Sequence, residues 1–418
     1  MRLDCAIDPR NFPLPSFDFI MEHSSERTLA SIIGDKPIGV IGVGKCGSHL
    51  VRTLQPHSSH PIMQSDPGRA KREPDFPHMP LPELAEKAAI IFIATDLPEI
   101  RGVLLHIRAK LREQQIIIDT GSSKRDYIDL LHSIDASGSA QAGSIHAMAK
   151  PPPEIPSWRG QNGIVCTISE RSRDAEDLGV ALFTQQQMFI HKMRLEEHDR
   201  MMHQIQGKPH FLQAGACAAM GEGLPETGSV ESLEKIGSPN FELFMLSVGR
   251  GATLPAPLQA DLITSMASSP EGLSDLQRTI AQLQHILDLA THDIHRPAAQ
   301  RQLPAFIEAA REKLDPTRQW RKRMEAKTTT IVVRLANIRK RSLRLTALHD
   351  RKSLLQEICS ILASHGIDMN AIDSLPGKLP ETVDFEIGRR DTVEVNLQRL
   401  EEDLAKIEVL LAKAEASY

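Results

Sequence analysis

Cysteine is sparse in this chain, and no two cysteines are close together. Cys5, Cys46, Cys166, Cys217 and Cys359 are odd in number, lie far apart and form no CxxC pair. A disulfide framework is thereby excluded, and reduced thiols in a cytosol are expected, most of them small core residues. A strong charge of one sign is also lacking. Lys and Arg number 49 against 54 Asp and Glu, a net charge of −5. That balance gives no electrostatic case for nucleic acid or an anionic membrane as partner. No apolar run approaches the ~18–20 residues that a membrane helix needs. The opening "MRLDCAIDPRNFPLP" has no basic region followed by an apolar one, so no secretory signal is expected. Internal repeats and low-complexity tracts are absent. A soluble, cytoplasmic protein is the expectation these absences leave.

What is present is ordinary in composition and long in extent. At 418 residues, 41% hydrophobic and 25% charged, the chain has room for two or three domains. Residues 1–35 are a polar, proline-bearing extension with one short helix in "FDFIMEHSSERTLASII". Over residues 36–170, short apolar runs such as "IGVIG", "HPIMQSD", "AIIFIATD", "QIIIDTG", "SAQAGSIH" and "GIVCTIS" alternate with helical segments. That alternation predicts a mostly parallel α/β sheet covered on both faces. Over residues 171–326 the apolar residues take helical spacing, which predicts an all-α domain. Its stretch "EEHDRMMHQIQGKPHFLQAGACAAMGEG" is apolar on more than one side and must be buried, partly against another subunit. The basic, polar stretch "TRQWRKRMEAKTTT", residues 317–330, looks like a linker, and the boundary between domains is put at residues 327–337. Residues 338–418 read βαββαβ, the ferredoxin-like order.

Gly42, Gly44 and Gly47 spell GxGxxG between a strand and a helix, in "PIGVIGVGKCGSHLVRTL". The first glycine permits the tight turn, the second lets backbone approach a pyrophosphate, and the third lets helix and strand pack closely. The helix N-terminus then presents free N–H groups and a positive dipole end to the phosphates. Asp66 follows at the distance where an acidic residue bonds the ribose hydroxyls, which favours NAD. Arg69, Lys71 and Arg72 come next and suit a 2′-phosphate, so NADP is the alternative. Thr95, closing "AIIFIAT", is assigned to the same cofactor site. His146, at the ligand end of the strand "AGSIH", can accept a proton near neutral pH or serve as polar packing. Ser122 and Lys124 follow the fourth strand, where a helix cap is the plainer role for the serines. Arg250, in apolar "LSVGRG", either reaches out to solvent or holds an anion. His198, His203 and His210 lack metal-site spacing, and His292 and His295 suit a cap or the surface, so no metal is expected.

These residues together resemble the prephenate dehydrogenases, including the dehydrogenase half of the bifunctional chorismate mutase–prephenate dehydrogenase. The resemblance runs over residues 37–325 and is carried by "IIIDTGSSK", "GSIHAM", "EEHDRMMHQIQGKPHF" and "SPNFELFMLSVGR". It implies a Rossmann domain followed by an all-helical domain through which two subunits interlock as a homodimer. It also implies oxidative decarboxylation of prephenate to 4-hydroxyphenylpyruvate, a step of tyrosine biosynthesis. By similarity, His146 is the catalytic histidine that takes the hydroxyl proton or bonds to it. Ser122 matches a serine near that hydroxyl and the nicotinamide. Arg250 matches the arginine that grips a substrate carboxylate, and His210 matches a substrate-side histidine; Lys124 is placed with them. His198 and Asp199 match an "HD" pair that supports its helix.

Two departures border the implied pocket. The family reads His-Pro-Met and then a glycine where this chain reads His146-Ala147-Met148, and it commonly has an aromatic residue where Gln259 stands. Arogenate therefore stays open beside prephenate. The first 35 residues are too short for a mutase domain, and no mutase activity is expected. Residues 338–418 resemble an ACT domain through "LHDRKSLLQEICSILASHGIDMNAI", with Ser353 where a glycine is common. That resemblance implies tyrosine as an effector, or a purely structural or dimerising module. Two competing readings are a catalytically silent cofactor-binding regulatory protein and another oxidoreductase of the same architecture, such as a 3-hydroxyacid dehydrogenase.

Overall fold

The fold is that of a computed structural model, which describes residues 27–66, 76–151, 157–325, 327–328, 331, 342–376, 382–389 and 396–412. Arg69, Lys71 and Arg72, most of the N-terminal extension and most of the expected linker lie outside the described residues. The chain divides into two compact units. The first runs to Gly121, resumes over Tyr127–Pro151 and again over Ser157–Leu195, while the second takes Ser122–Asp126 and the chain from Glu196 onward.

The first unit is built, in chain order, from α1 (Leu29–Ile33), β1 (Ile38–Ile41), α2 (Lys45–Leu54), β2 (Met63–Ser65), α3 (Leu81–Lys87), β3 (Ile90–Ile93) and α4 (Leu97–Ile107). It continues with β4 (Ile116–Asp119), α5 (Ile128–Ser137), β5 (Gln141–Ala147), β6 (Asn162–Thr167), α6 (Arg173–Gln185) and β7 (Phe189–Arg194). The seven strands form one sheet in the order β2-β1-β3-β4-β5-β6-β7. Strands β1 to β5 are parallel, and the direction reverses between β5 and β6. Every residue of β1, β3 and β4 is buried, which is why each is a continuous apolar run rather than an alternating one. Leu50, Val51 and Leu54 bury one face of α2. Full burial of side chains of this size contributes roughly 1.5–3 kcal/mol each.

One expected boundary moves. The strands do not stop at residue 170, because α6 and β7 complete the sheet and the first unit reaches Leu195. β7 pairs in parallel with β6 from Asn162↔Phe189 to Thr167↔Arg194. As an edge strand with no fully buried residue, its sequence FIHKMR carries no apolar run that would announce it.

The helical part of the second unit comprises α7 (Leu195–Met202), a π-helical turn (His203–Gly207), α8 (Lys208–Thr227), α9 (Val230–Ile236), α10 (Pro239–Thr253), α11 (Ala256–Ala267), α12 (Pro270–Asp293) and α13 (Leu303–Leu314). The long helix expected from sequence is thus α7 and α8 joined through the π turn. Lys208 and Gln204 both reach Asp275 of α12, at 2.7 and 2.9 Å, and tie that turn to its neighbour. Ser229, Ser238 and Ser269 cap α9, α10 and α12 by accepting backbone N–H groups of the first turn. Part of the stretch expected as a linker is helical, over 319–325. Its start is fixed by Asp315, whose carboxylate accepts the Arg321 N–H at 2.8 Å.

Farther along the chain are β8 (Ser342–Ala347), a helix over Leu354–Ser364, β9 (Met369–Pro376), β10 (Val383–Arg389), a helix over Leu397–Ala405 and β11 (Val409–Ala412). The strands form an antiparallel sheet in the order β11-β8-β10-β9, the ferredoxin-like arrangement expected from the βαββαβ pattern. Leu343, Leu345, Ile358, Leu362, Phe385, Ile387, Leu400 and Leu404 form its core. Ser353, just before the first of these helices, has φ +67° and its hydroxyl caps nothing. The left-handed region costs an L-residue roughly 1–2 kcal/mol, and glycine's greater unfolded-state freedom returns roughly 0.5–1 kcal/mol of that. Ser353→Gly should therefore stabilise this module by about 0.5–1 kcal/mol. Calorimetric unfolding of the full chain checks it, and a lowered transition would contradict the strain argument.

Candidate functional site

The turn after β1 is shaped by what it cannot hold. Gly42 has φ +84°, and a Cβ there would lie 2.7 Å from the Ala94 and Thr95 backbone. A Cβ on Gly47 would lie 1.9 Å from the Gly42 carbonyl oxygen, so the helix rests directly on the turn. Gly44 is the extended N-cap of α2, and no side chain closes the first turn of that helix. Uncapped N–H groups therefore point their dipole end at the turn, as phosphate binding requires. Thr95, beyond β3, has a buried Oγ1 without a hydrogen-bond partner. In this sheet order β1 lies between β2 and β3, so the carboxyl ends of β1 and β3 flank the switch point where such sheets bind ligands. A glycine cradle, a bare helix terminus and an orphaned hydroxyl on one sheet edge fit a dinucleotide.

Asp66 stands just past β2. Its Oδ2 accepts the Val43 N–H at 2.8 Å, so the acid braces the glycine turn. His78, which sequence reading did not single out, places Nε2 at 2.9 Å from the Asp66 N and 3.1 Å from its O. Cys46 lies in the first turn of α2, where a thiolate would repel phosphate. Burial pushes its thiol up to about 11, with the Thr120 hydroxyl opposing, and the group stays neutral at physiological pH.

At the ends of β4 and β5 the same edge carries polar groups. The Asp119 Oδ1 accepts the Gly121 N–H at 3.0 Å and the Tyr127 hydroxyl at 2.7 Å. This fixes both ends of the excursion that contains Ser122 and Lys124. His146 is buried near the end of β5, paired across the sheet with Ile164. Ser144, two residues earlier and so on the same face, is buried with an unpartnered Oγ. Asp119, Tyr127 and Ser144 had no sequence signal, since each reads as part of a strand or helix.

Within the second unit, Lys124 is fully buried and its backbone N–H donates to the Asp199 carboxylate at 2.9 and 3.2 Å. The same carboxylate meets Nδ1 of buried His198 at 2.9 Å. Ser123 and Ser265 of α11 share a hydroxyl hydrogen bond of 2.6 Å. His210, in the first turn of α8, has a buried Nδ1 with no hydrogen-bond partner. Burial lowers its pKa below the ordinary value; Gln213 alongside opposes that, and the nearby charge of Arg250 adds to it. The structure thus brings His210 and Arg250 together. Arg250 is exposed on α10 and has no carboxylate partner among the described residues. Gln259 of α11 donates from Nε2 to the His210 carbonyl at 3.2 Å.

The His292 ring meets the neighbouring carboxylate of Asp293 at 3.4 Å. Among the described residues, no three His, Cys, Asp or Glu side chains are grouped to hold a metal, and no helix is long and apolar enough to cross a membrane.

Comparison with known proteins places this architecture. The family described as NADP oxidoreductase coenzyme F420-dependent matches residues 37–123. No curated protein sequence matches the chain. Among solved structures, a provisionally assigned prephenate dehydrogenase of Corynebacterium glutamicum is similar at 17% identity and a TM-score of 0.50, over 70% of this chain and 89% of that one. The fold is the prephenate dehydrogenase fold. Also similar are a prephenate dehydrogenase from A. aeolicus in complex with hydroxyphenyl propionate and NAD+, and an arogenate dehydrogenase from Synechocystis. The first has 16% identity and a TM-score of 0.49, over 66% of this chain and 96% of that one. The second has 16% identity and 0.48, over 67% and 99%.

The cradle yields a direct prediction. Gly47→Ala should destabilise the first unit by roughly 1–3 kcal/mol through overpacking and remove dinucleotide binding. Calorimetric titration with NAD and NADP, beside thermal unfolding, reads both. Unchanged affinity would mean the turn is not the phosphate site.

Proposed function

We propose that the chain is an NAD(P)-dependent dehydrogenase that oxidatively decarboxylates prephenate to 4-hydroxyphenylpyruvate. The observation that carries this reading is His146, buried at the same strand-end edge of the sheet as the Gly42 turn. Gly42, Gly44, Gly47, Asp66 and Thr95 would hold the cofactor, which supplies the hydride acceptor when bound. His146 takes the proton of the substrate's ring hydroxyl, or bonds to it, as hydride leaves the same carbon. Ser122 hydrogen-bonds that hydroxyl. Arg250 pairs with a substrate carboxylate; its fork suits one, and no carboxylate of the described residues occupies it. His210, kept neutral by burial and by Arg250, adds a polar contact without a competing charge. Lys124, buried in the segment that bears Ser122, belongs to the same support. Loss of CO₂ makes the ring aromatic and supplies much of the driving force, so positioning and proton removal are the tasks left to the residues.

Arogenate is the second reading. Gln259 sets an amide against His210 where the resembling chains commonly have an aromatic ring, and a polar neighbour suits an amino-acid side chain. The two are separated by following reduced-nicotinamide absorbance with NAD and NADP, each offered prephenate and arogenate. Turnover in at least one pairing, abolished in His146→Ala and with KM raised roughly 10–100-fold in Arg250→Ala, is the expected result. No turnover in any pairing with dinucleotide binding intact would favour a sensor of the same fold. Tyrosine as an effector of the ACT-like module belongs to the same proposal, and inhibition that persists after removal of residues 338–418 would remove it.

The enzyme is proposed to act as a homodimer. Leu273, Ile280, Leu283 and Leu287 recur at heptad spacing on α12, and all four are exposed. Such a seam is what a second helix covers. Leu283→Glu with Leu287→Glu should convert a dimer to a monomer in sedimentation velocity. A monomeric parent protein at the same concentration would sink the idea.

A further inference from the structure

We propose that Asp199 is a positioning residue that fixes the segment after β4, residues 122–126, and through it Ser122 and Lys124. The inference rests on the dehydrogenase reading for what those residues do, and on geometry alone for the clamp. Asp199 is in the middle of α7, where its carboxylate cannot cap its own helix, and it is almost fully buried. A buried carboxylate needs partners to offset its desolvation. Its partners are the Lys124 backbone N–H, 75 residues away in sequence, and the His198 ring. A backbone amide as partner means that the carboxylate fixes the path of the chain rather than the direction of one side chain.

A second tie acts on the adjacent residue. The Ser123 hydroxyl is bonded to that of Ser265 on α11, and the same helix holds the His210 carbonyl through Gln259. Helix α11 therefore references both the 122–126 segment and the first turn of α8. Residues 122–126 accordingly group with the second unit although β4, which they follow, belongs to the first. His198 keeps the clamp in one state. With its Nδ1 hydrogen directed at Asp199, the carboxylate oxygen accepts from two donors and is oriented to receive the Lys124 amide.

Four proteins test this: the parent, Asp199→Ala, Asp199→Asn and Ser265→Ala. Hydrogen exchange of the peptide spanning residues 119–127 reads the clamp, and steady-state kinetics with the better substrate read its consequence. Asp199→Ala should speed exchange in that peptide and lower kcat roughly 10–100-fold, the usual result of misplacing a reacting group by an ångström. The dissociation constant for the dinucleotide should stay within about twofold, because the cofactor cradle is untouched. Asp199→Asn keeps an oxygen for the Lys124 N–H and should recover most of kcat. Ser265→Ala, which removes one oxygen atom, should give a smaller change in the same direction and keeps the test alive if Asp199→Ala fails to fold. Unchanged exchange at 119–127 in the folded variants would overturn the clamp. Faster exchange with unchanged kcat would overturn its positioning role. If the parent turns over neither substrate, the dehydrogenase reading fails, and the exchange measurement still decides whether the clamp exists.

Discussion

The contact between Gly47 and the Gly42 carbonyl sets the geometry on which the first unit depends. With 1.9 Å between that oxygen and where a Cβ would be, α2 has one way to leave the turn. Its buried face then falls on the sheet, and its uncapped N-terminus falls at the strand ends. The rest of that edge is set by parallel register. Ile41, Ile93 and Asp119 are brought level by the β1–β3 and β3–β4 pairing, so the turns after all three strands open on one side.

In each unit, buried polar structure is held in part through backbone amides. Asp66 braces the glycine turn through the Val43 N–H, Asp119 the chain at Gly121, and Asp199 the chain at Lys124. In each case a carboxylate fixes main chain, which has no rotamers to lose. The side chains that would do chemistry are then placed by the path of the chain. Cys46 illustrates the complementary rule, since burial holds it neutral where a charge would oppose phosphate.

Legibility in the sequence followed burial. The strands β1, β3 and β4 were readable because both faces of each are covered, and the GxGxxG turn was readable because Gly42 and Gly47 answer to steric demands that a side chain would violate. The ferredoxin-like order at residues 342–412 was readable for the same reason, through its alternating core positions. β7 was not, since a partly exposed edge strand needs no apolar run, and the domain boundary shifted with it. The helix over 319–325 was hidden because good helix formers such as Arg, Lys, Met and Glu without an apolar face look the same in a linker. The bond from Asp199 to Lys124 was hidden in a deeper sense. One partner is a main-chain amide, which every residue but proline carries, so no residue type marks it.

Helix α12 carries more large aliphatic side chains than its own unit buries. A helix confined to one subunit needs a single apolar stripe, and α12 spends Leu276 and Leu289 on its own unit. Its other large aliphatic side chains, Leu273, Ile280, Leu283, Ile286 and Leu287, stay in water. Exposing large aliphatic side chains sacrifices roughly 1.5–3 kcal/mol apiece relative to burying them, and a heptad-spaced series is a shape that only another helix fills well. Helix α8 packs against α10 and α11 and leaves Leu212 exposed. Because α8 and α10 carry His210 and Arg250, and α12 is joined to the start of α8 through Asp275, pairing of two α12 helices would stiffen the scaffold on which those residues are displayed.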